Sequence, residues 1–269
     1  MANDIKEIYL KGQELLKKKD YFTTGFEDLD IFCKYLEGGN ILTIGGRPAM
    51  GKTAFATSLT NHFLNKDKSV LYFSMDSSEI QYVSRLVAEK IGTPLFSLIE
   101  GKVREEEVNI VLDSFKDKKL EIVDKTNLTI EDVDTKVQEI KPDIVFIDYV
   151  QLIEAPKAPN RTEAINLVIK ELKRIAVEND VIVVLLSQLS RAVEGRCDKR
   201  PILSDLRDSG KIEQDADTVC FVHRPAYFEP DKYRSNDLRF IVAKSRHTEG
   251  NKTAYLYYDS VTQSIRERF

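Results

Sequence analysis

The sequence has few of the residues from which disulfide networks and metal centres are built. Its 269 residues include three cysteines, which are widely separated and form no CxxC pair. An odd, scattered set of this kind argues against a disulfide framework and a zinc site, and it is typical of a reducing cytoplasm. The three histidines share no metal-ligand spacing either. We therefore predict a cytoplasmic protein without a structural metal site.

Long apolar runs and strong positive charge are also missing. No apolar run approaches the ~20 residues needed to cross a bilayer, and the first residues lack the apolar core of a signal peptide. No membrane association is predicted. The formal net charge of −4 excludes a globally basic nucleic-acid coat, so any such contact has to come from a local patch. The window 191–211, with six basic and four acidic residues, is one candidate, although a solvated loop explains it equally well.

The most informative stretch satisfies the pattern G-x-x-x-x-G-K-[ST] in full. It lies between an apolar run at 40–44 and a helix-like segment, the strand–loop–helix setting of a phosphate-binding loop. Its glycines allow backbone N–H groups to surround phosphate oxygens at a helix N-terminus. The alternative is a glycine-containing turn with an accidental lysine. The residues predicted to bind the nucleotide here are Gly46, Arg47, Pro48, Ala49, Met50, Gly51, Lys52, Thr53 and Ala54.

A nucleoside triphosphate and Mg²⁺ are the ligands that this loop implies. Lys52 is expected to reach the β- and γ-phosphates, and the Thr53 hydroxyl is expected to bind Mg²⁺. Asp148 ends a second apolar strand and is predicted to hold the same Mg²⁺.

Hydrolysis also needs a carboxylate that orients the attacking water. Asp76 follows the predicted strand 70–74, and ligands of open α/β sheets gather at such strand ends. The alternative is that Asp76 caps a helix beginning near Ser78, with Glu79 in its first turn. Gln188, at the tip of another strand, is a candidate for contacting the γ-phosphate or the water.

Strands and helices alternate after residue 40, which predicts an α/β fold with a largely parallel central sheet flanked by helices. Towards the C-terminus only strands remain, so antiparallel pairs should finish the sheet. A separate amphipathic helix is predicted over 3–19. The predicted strands are 41–45, 70–74, 120–123, 143–148, 181–187, 218–222, 238–243 and 253–258, and the predicted helices are 52–64, 78–91, 104–116, 129–139 and 161–178.

Further segments extend this order of motifs. They are Thr24-Gly25-Phe26 with Leu29-Asp30; Phe73-Ser74-Met75-Asp76; Ile147-Asp148-Tyr149-Val150-Gln151-Leu152; Leu186-Ser187-Gln188-Leu189-Ser190-Arg191; Asp198-Lys199-Arg200-Pro201; Ser204 to Asp217; and Lys244-Ser245-Arg246. With the phosphate loop, they make residues 22–269 resemble the C-terminal motor domain of DnaB-type replicative DNA helicases, which are hexameric RecA-like ATPases.

The resemblance implies roles that local patterns do not give. Lys244 and Arg246 match a pair that reaches into a neighbouring subunit's nucleotide site, and Arg224 matches a residue near the adenine. The segment from Ser204 to Asp217 resembles a loop that faces single-stranded DNA in the central channel, although a merely structural strand–turn–helix is the alternative. The residues of that loop expected to touch DNA phosphates are Arg207, Asp208 and Gly210.

The implied function is an ATP-dependent helicase motor that works as a homo-hexamer on single-stranded DNA, with a helicase loader and primase as further partners. Residues 1–21 are then expected to be a linker arm that docks on a neighbouring subunit, and residues 22–269 the motor domain. Two departures are expected to matter. The family usually has glutamate at Asp76, and its N-terminal domain is missing. They keep open one alternative, a helicase-like ATP-binding interaction protein with weak hydrolysis. A second alternative is a strand-exchange or clock-type RecA-like ATPase, against which the match from Ser204 to Asp217 weighs.

Overall fold

The fold is taken from a computed structural model of the chain, which describes residues 5–6, 9–10, 13, 21, 23–33, 36–156, 158–206 and 210–268. Most of the predicted helix over 3–19 and of the predicted arm over 1–21 lies outside these ranges. Two members of the predicted DNA loop, Arg207 and Asp208, also lie outside them.

Helices cover both faces of a nine-stranded sheet. The described helices are α1 (Glu27–Phe32), α2 (Lys52–Asn65), α3 (Glu79–Ile91), α4 (Leu95–Ile99), α5 (Glu105–Phe115), α6 (Ile130–Ile140), α7 (Arg161–Asn179) and α8 (Gly210–Asp215). The strands are β1 (Ile41–Gly46), β2 (Val70–Ser74), β3 (Leu120–Asp124), β4 (Ile144–Asp148), β5 (Ile182–Gln188), β6 (Thr218–His223), β7 (Asp237–Ser245), β8 (Lys252–Asp259) and β9 (Ser264–Glu267). Among the described residues, no helix is both long and apolar enough to traverse a bilayer.

The sheet order is β3-β2-β4-β5-β1-β6-β7-β8-β9. Pairing is parallel from β3 to β6 and antiparallel from β6 to β9. The central strands are buried along their whole length, because α2 and α3 pack on one face while α6 and α7 pack on the other. In contrast, β8 alternates buried and exposed residues. The predicted fold class is therefore confirmed, including the antiparallel strands at the C-terminal end.

The parallel register gathers the ends of four strands at one edge of the sheet. Ser74 pairs with Asp148 across β2 and β4, and Gly46 pairs with Gln188 across β1 and β5. Because the carboxyl ends of parallel strands meet at the same edge, the phosphate-loop motif, Asp148 and Gln188 emerge side by side.

Candidate active site

The phosphate-loop motif forms a tight turn between β1 and α2. Gly51 is the N-cap of α2 and has φ of 98°, a left-handed conformation that favours glycine. Gly46 is held close to its surroundings: a Cβ atom there would lie 3.1 Å from the Lys52 side chain and 3.2 Å from the carbonyl oxygen of Val222. Both glycines therefore allow the backbone to approach its neighbours and the cavity more closely than other residues would.

Lys52 folds back over this turn. Its Nζ donates hydrogen bonds to the carbonyl oxygens of Gly46, at 3.0 Å, and Arg47, at 3.3 Å. Burial, together with the charge of Arg47, lowers the pKa of Lys52 from 10.5 to about 8, while Asp148 and Asp76 act in the opposite direction. A buried ammonium group that rests on neutral carbonyls can exchange them for the charged oxygens of a phosphate.

Asp148 is buried and accepts two hydrogen bonds on the same oxygen. Thr53 Oγ1 donates to its Oδ2 at 3.0 Å, and the hydroxyl of Tyr72 donates at 2.8 Å. Burial raises the pKa of Asp148, while the bonds from Tyr72 and Thr53 and the charge of Lys52 lower it. A carboxylate and a hydroxyl oxygen in contact are a donor set that suits Mg²⁺.

A cavity of about 380 Å³ lies in front of these groups. It brings together most of the predicted nucleotide-site residues, and it adds Arg85, Tyr149, Tyr258 and Gln263. Gly46, Arg47 and Met50 are not in its wall, and Met50 belongs to the core. The lining residues are Pro48, Ala49, Gly51, Lys52, Thr53, Ala54, Asp76, Arg85, Asp148, Tyr149, Gln188, Arg224, Tyr258 and Gln263.

The cavity wall also carries two arginines, Arg85 and Arg224. Arg224 lies over the ring of Tyr258, with 4.3 Å from Cζ to the ring centroid, and donates to the carbonyl oxygen of Ala49 at 3.3 Å. Arg85 donates to the side chain of Gln263. The Nε atoms of both arginines are buried without a hydrogen-bond partner in the described part of the chain. Two further cations in a cavity that already holds Lys52 fit an anionic ligand.

Asp76 lies on an exposed turn at the cavity rim and does not cap a helix. The N-cap of α3 is Ser78, whose side chain accepts from the Gln81 backbone while Gln81 caps Ser78 in return. The interpretation of Asp76 as an N-cap is therefore wrong. Glu79 is the first residue of α3 and lies outside the cavity wall.

Gln188 is held by its backbone, which leaves its side chain at the cavity. Gln151 clamps it, because the Gln188 N–H donates to Gln151 Oε1 at 3.2 Å and Gln151 Nε2 donates to the Gln188 carbonyl, also at 3.2 Å. The next residue, Leu189, forms an antiparallel bridge with Leu206. The bridge therefore connects the residue after Gln188 to Leu206, which lies within the predicted DNA loop.

Lys244 and Arg246 lie far from the cavity. Lys244 Nζ donates to three carbonyl oxygens at the end of α8, including those of Gln214, at 3.1 Å, and Ala216, at 2.8 Å. Arg246 donates to Asp217 and to the Gln214 carbonyl, both at 3.0 Å. These cations hold the carboxyl end of the helix that begins at Gly210, where lysine and arginine also interact favourably with the helix dipole.

Several site residues gave no local sequence signal. Tyr72 and Tyr82 follow the pattern of ordinary core residues, and their rings stack at 3.7 Å between centroids. Arg85 lies within an amphipathic helix, and Tyr258 and Gln263 come from the C-terminal strands and the turn between them. Arg85, Tyr258 and Gln263 reach the cavity only through the tertiary fold, which places β9 beside α2.

The relatives of this chain are replicative helicases and their ATPase domains. The family model described as DnaB-like helicase C terminal domain matches residues 22–266. A probable plasmid replicative DNA helicase of Chlamydia psittaci is 38% identical over 237 residues, covering 85% of this chain and 52% of the relative. The replicative DNA helicase DnaC of Bacillus subtilis (strain 168) is 34% identical over 254 residues, covering 90% and 56%. The chain thus spans about half the length of the curated relatives it matches.

Two solved structures share the whole fold. One is an isolated ATPase domain with a TM-score of 0.91 and 30% identity, and each chain covers 100% of the other. The second is a DnaB-like replicative helicase that was studied with its primase interactions. It has a TM-score of 0.89 and 30% identity, covering 100% of this chain and 68% of that one. The resemblance seen in the motifs is confirmed, and the chain belongs to the family of DnaB-like helicase C-terminal domains.

Proposed function

We propose that this chain is the motor domain of a replicative DNA helicase. It hydrolyses ATP at subunit interfaces, and it uses that energy to translocate on single-stranded DNA and unwind duplex. The observation that carries the proposal is the separation between the cavity and the two cations of the Lys-Ser-Arg motif. Lys244 pairs with Val219 near the amino end of β6, whereas the phosphate-loop motif follows the carboxyl end of its neighbour β1.

Strand length gives the size of that separation. β6 has six residues, and at ~3.3 Å per step the two ends of the strand lie about 17 Å apart. Lys244 and Arg246 are thus beyond reach of their own cavity, and any phosphate they contact belongs to another molecule. In a closed ring, each subunit presents the same surface to the next, so one cavity can meet the next subunit's cations at every interface.

Each group in the cavity has a chemical task in this proposal. Lys52 and the backbone N–H groups of the loop bind the β- and γ-phosphates. Thr53 and Asp148 hold Mg²⁺, which neutralises the charge of those phosphates when it is bound. Asp76 orients the attacking water from the rim of the cavity. Gln188 contacts the γ-phosphate and, through the Leu189–Leu206 bridge, shifts the predicted DNA loop when that phosphate leaves.

The remaining parts of the proposal concern the assembly. A homo-hexamer provides the shared sites, and residues 1–21 act as an arm that docks on a neighbour while residues 22–269 form the motor. Arg207, Asp208 and Gly210 touch the phosphates of the single strand. Primase is a proposed partner because one structural neighbour interacts with primase. A helicase loader is a second proposed partner. The proposed location is the cytoplasm. The similarity to replicative DNA helicases favours this function over an interaction protein or a strand-exchange or clock-type ATPase.

Subunit mixing tests the shared site directly. Arg246→Ala should lower ATP turnover by ~10³–10⁵ while leaving nucleotide binding largely intact. Lys52→Ala should fail to bind the phosphates. In a 1:1 mixture, roughly a quarter of the interfaces combine an intact Lys52 with an intact neighbouring Arg246, so hydrolysis should return although neither variant is active alone.

The assay is ATP hydrolysis with and without single-stranded DNA over a range of protein concentrations. Turnover should rise with concentration and with DNA. An inactive mixture of two folded, assembling variants would contradict the shared site. Normal turnover by Arg246→Ala would show that this arginine has no part in it.

A further inference from the structure

The side chain of Arg47 turns away from the nucleotide cavity, although its backbone belongs to the phosphate-loop motif. Its Nε and NH2 atoms bind one carboxylate oxygen of Glu194 at 2.8 and 2.7 Å, and its NH1 donates to the carbonyl oxygen of Leu189 at 2.9 Å. The Arg47 side chain is only 13% exposed, and that of Glu194 is 46% exposed. All three nitrogens of this guanidinium are used to hold the segment that follows Gln188.

That segment is a closed unit, which we name the switch segment (residues 189–206). Its ends are joined by the Leu189–Leu206 bridge and by a hydrogen bond from the Ser190 N–H to the Asp205 carbonyl at 2.8 Å. Within it, Arg196 forms a bidentate pair with the buried Asp205 at 2.6 and 2.7 Å. Because bidentate pairs fix geometry, a shift at Leu189 is transmitted to Asp205 and Leu206, which belong to the predicted DNA loop.

Arg47 is also in contact with the residue that binds phosphate. Its carbonyl oxygen accepts a hydrogen bond from Lys52 Nζ, at 3.3 Å. When Lys52 turns to a phosphate, that carbonyl keeps only the hydrogen bond from the Met50 N–H, at 3.3 Å, so the peptide that carries Arg47 changes its contacts. The arginine is therefore linked to nucleotide binding at its backbone and to the switch segment at its side chain.

We propose that Arg47 is a positioning residue, whose pair with Glu194 couples nucleotide binding in the cavity to DNA binding by the predicted loop, which overlaps the end of the switch segment. This inference rests on the proposed function. The connection is separate from that of Gln188, because Gln188 reports only the γ-phosphate, whereas Lys52 responds to any nucleotide with a β-phosphate. A planar guanidinium suits this task, since it binds a carboxylate and a carbonyl at the same time.

The test is Glu194→Gln in the full chain, which removes the charge but keeps the size of a half-exposed side chain. Steady-state ATP hydrolysis is measured with and without an oligothymidine strand. Among the described residues, the Glu194 side chain is linked to the cavity only through Arg47, so basal turnover and KM for ATP should stay unchanged. Stimulation by the oligonucleotide should fall at least ~5-fold, the lower end of typical coupling between sites.

A matched control and a rescue complete the design. Glu229→Gln removes a carboxylate of similar exposure, 44%, from its pair with Lys232, and stimulation should remain normal. The double variant Arg47→Glu with Glu194→Arg should recover part of the stimulation that Arg47→Glu alone loses.

Three results would overturn the inference. If the wild type is stimulated and Glu194→Gln is stimulated equally, the pair does not couple the sites. If Glu194→Gln loses basal turnover together with thermal stability, the pair is merely structural. If the wild type shows hydrolysis but no stimulation by DNA, the proposed function fails and this inference fails with it.

Discussion

Lengthening the carboxylate at position 76 should accelerate ATP hydrolysis. Asp76 lies on an exposed turn at the rim of the cavity, two residues after Ser74, which pairs with Asp148. The longer side chain of Asp76→Glu would therefore meet no packed neighbour. The added methylene extends the carboxylate by somewhat more than ~1 Å, and misplacement of a catalytic group by that distance can cost about 10² in rate. We expect Asp76→Glu to raise the rate of the chemical step by ~10–100-fold.

Single-turnover hydrolysis, at saturating protein and in the presence of single-stranded DNA, measures that step without product release. Binding of a non-hydrolysable ATP analogue should be unchanged, because the water and not the ground-state nucleotide is the partner of this carboxylate. Asp76→Asn should abolish hydrolysis, and Glu79→Gln is the matched control because Glu79 lies outside the cavity wall.

Two outcomes would refute the reasoning. A slower Asp76→Glu variant would show that the backbone already brings the shorter side chain to its place, so that the extra methylene overshoots. An Asp76→Asn variant with normal turnover would show that another group orients the water. The two outcomes differ, since the first leaves Asp76 as the catalytic carboxylate and the second removes it.

Two further predictions concern buried groups. Tyr72→Phe removes the hydroxyl that binds Asp148 and should raise the Mg²⁺ concentration needed for hydrolysis ~10–100-fold; Tyr82→Phe, whose hydroxyl bonds to Thr60, should not. His223 is buried, and desolvation with nearby arginines lowers its pKa from 6.5 to about 4. Between pH 6.5 and 4, His223 is therefore protonated more in the unfolded chain than in the folded one. The free energy of unfolding should fall by about 3 kcal/mol as the pH drops from 6.5 to 4. Denaturant titrations at several pH values should show that His223→Leu lacks this loss of stability. If the free energies of unfolding of the wild type and His223→Leu change with pH in parallel, the prediction is refuted.

The strands were predictable because their sequence pattern has one physical cause. A strand buried on both faces carries a continuous apolar run, and a strand with one exposed face alternates apolar and polar residues. All eight segments predicted from these two patterns are strands in the structure. The ninth, β9, is a four-residue edge strand, Ser-Ile-Arg-Glu, which is too short and polar for any pattern. The short helices α1, α4 and α8 were missed for a related reason. A helix of five or six residues has fewer than two turns, so its apolar residues show no recognisable helical period. Such short helices are stabilised by contacts with the rest of the fold.

The residues of the site also differ in how far a local sequence pattern could predict them. Lys52, Thr53 and Asp148 were identified because a phosphate loop and a strand-end carboxylate are local in sequence. Tyr258 and Gln263 enter the cavity because β8 and the turn before β9 fold back over α2, a tertiary contact that no window of sequence contains. The side-chain direction of Arg47 depends on Glu194, which is distant in sequence. The motif therefore predicted Arg47 at the phosphates, whereas in the structure its side chain contacts the switch segment.

The resting contacts of the cations explain how such a site can respond to a nucleotide. Lys52, Arg224 and Lys244 are held mainly by backbone carbonyl oxygens rather than by carboxylates. A phosphate oxygen carries a negative charge, so it attracts an ammonium or guanidinium group more strongly than a neutral carbonyl oxygen does at the same distance. Phosphate oxygens can therefore displace these carbonyls with a net gain. Arg246 is different, because it also pairs with the buried Asp217. Its release costs more, so in the proposed shared site only a fully charged group such as a γ-phosphate would draw Arg246 away from Asp217.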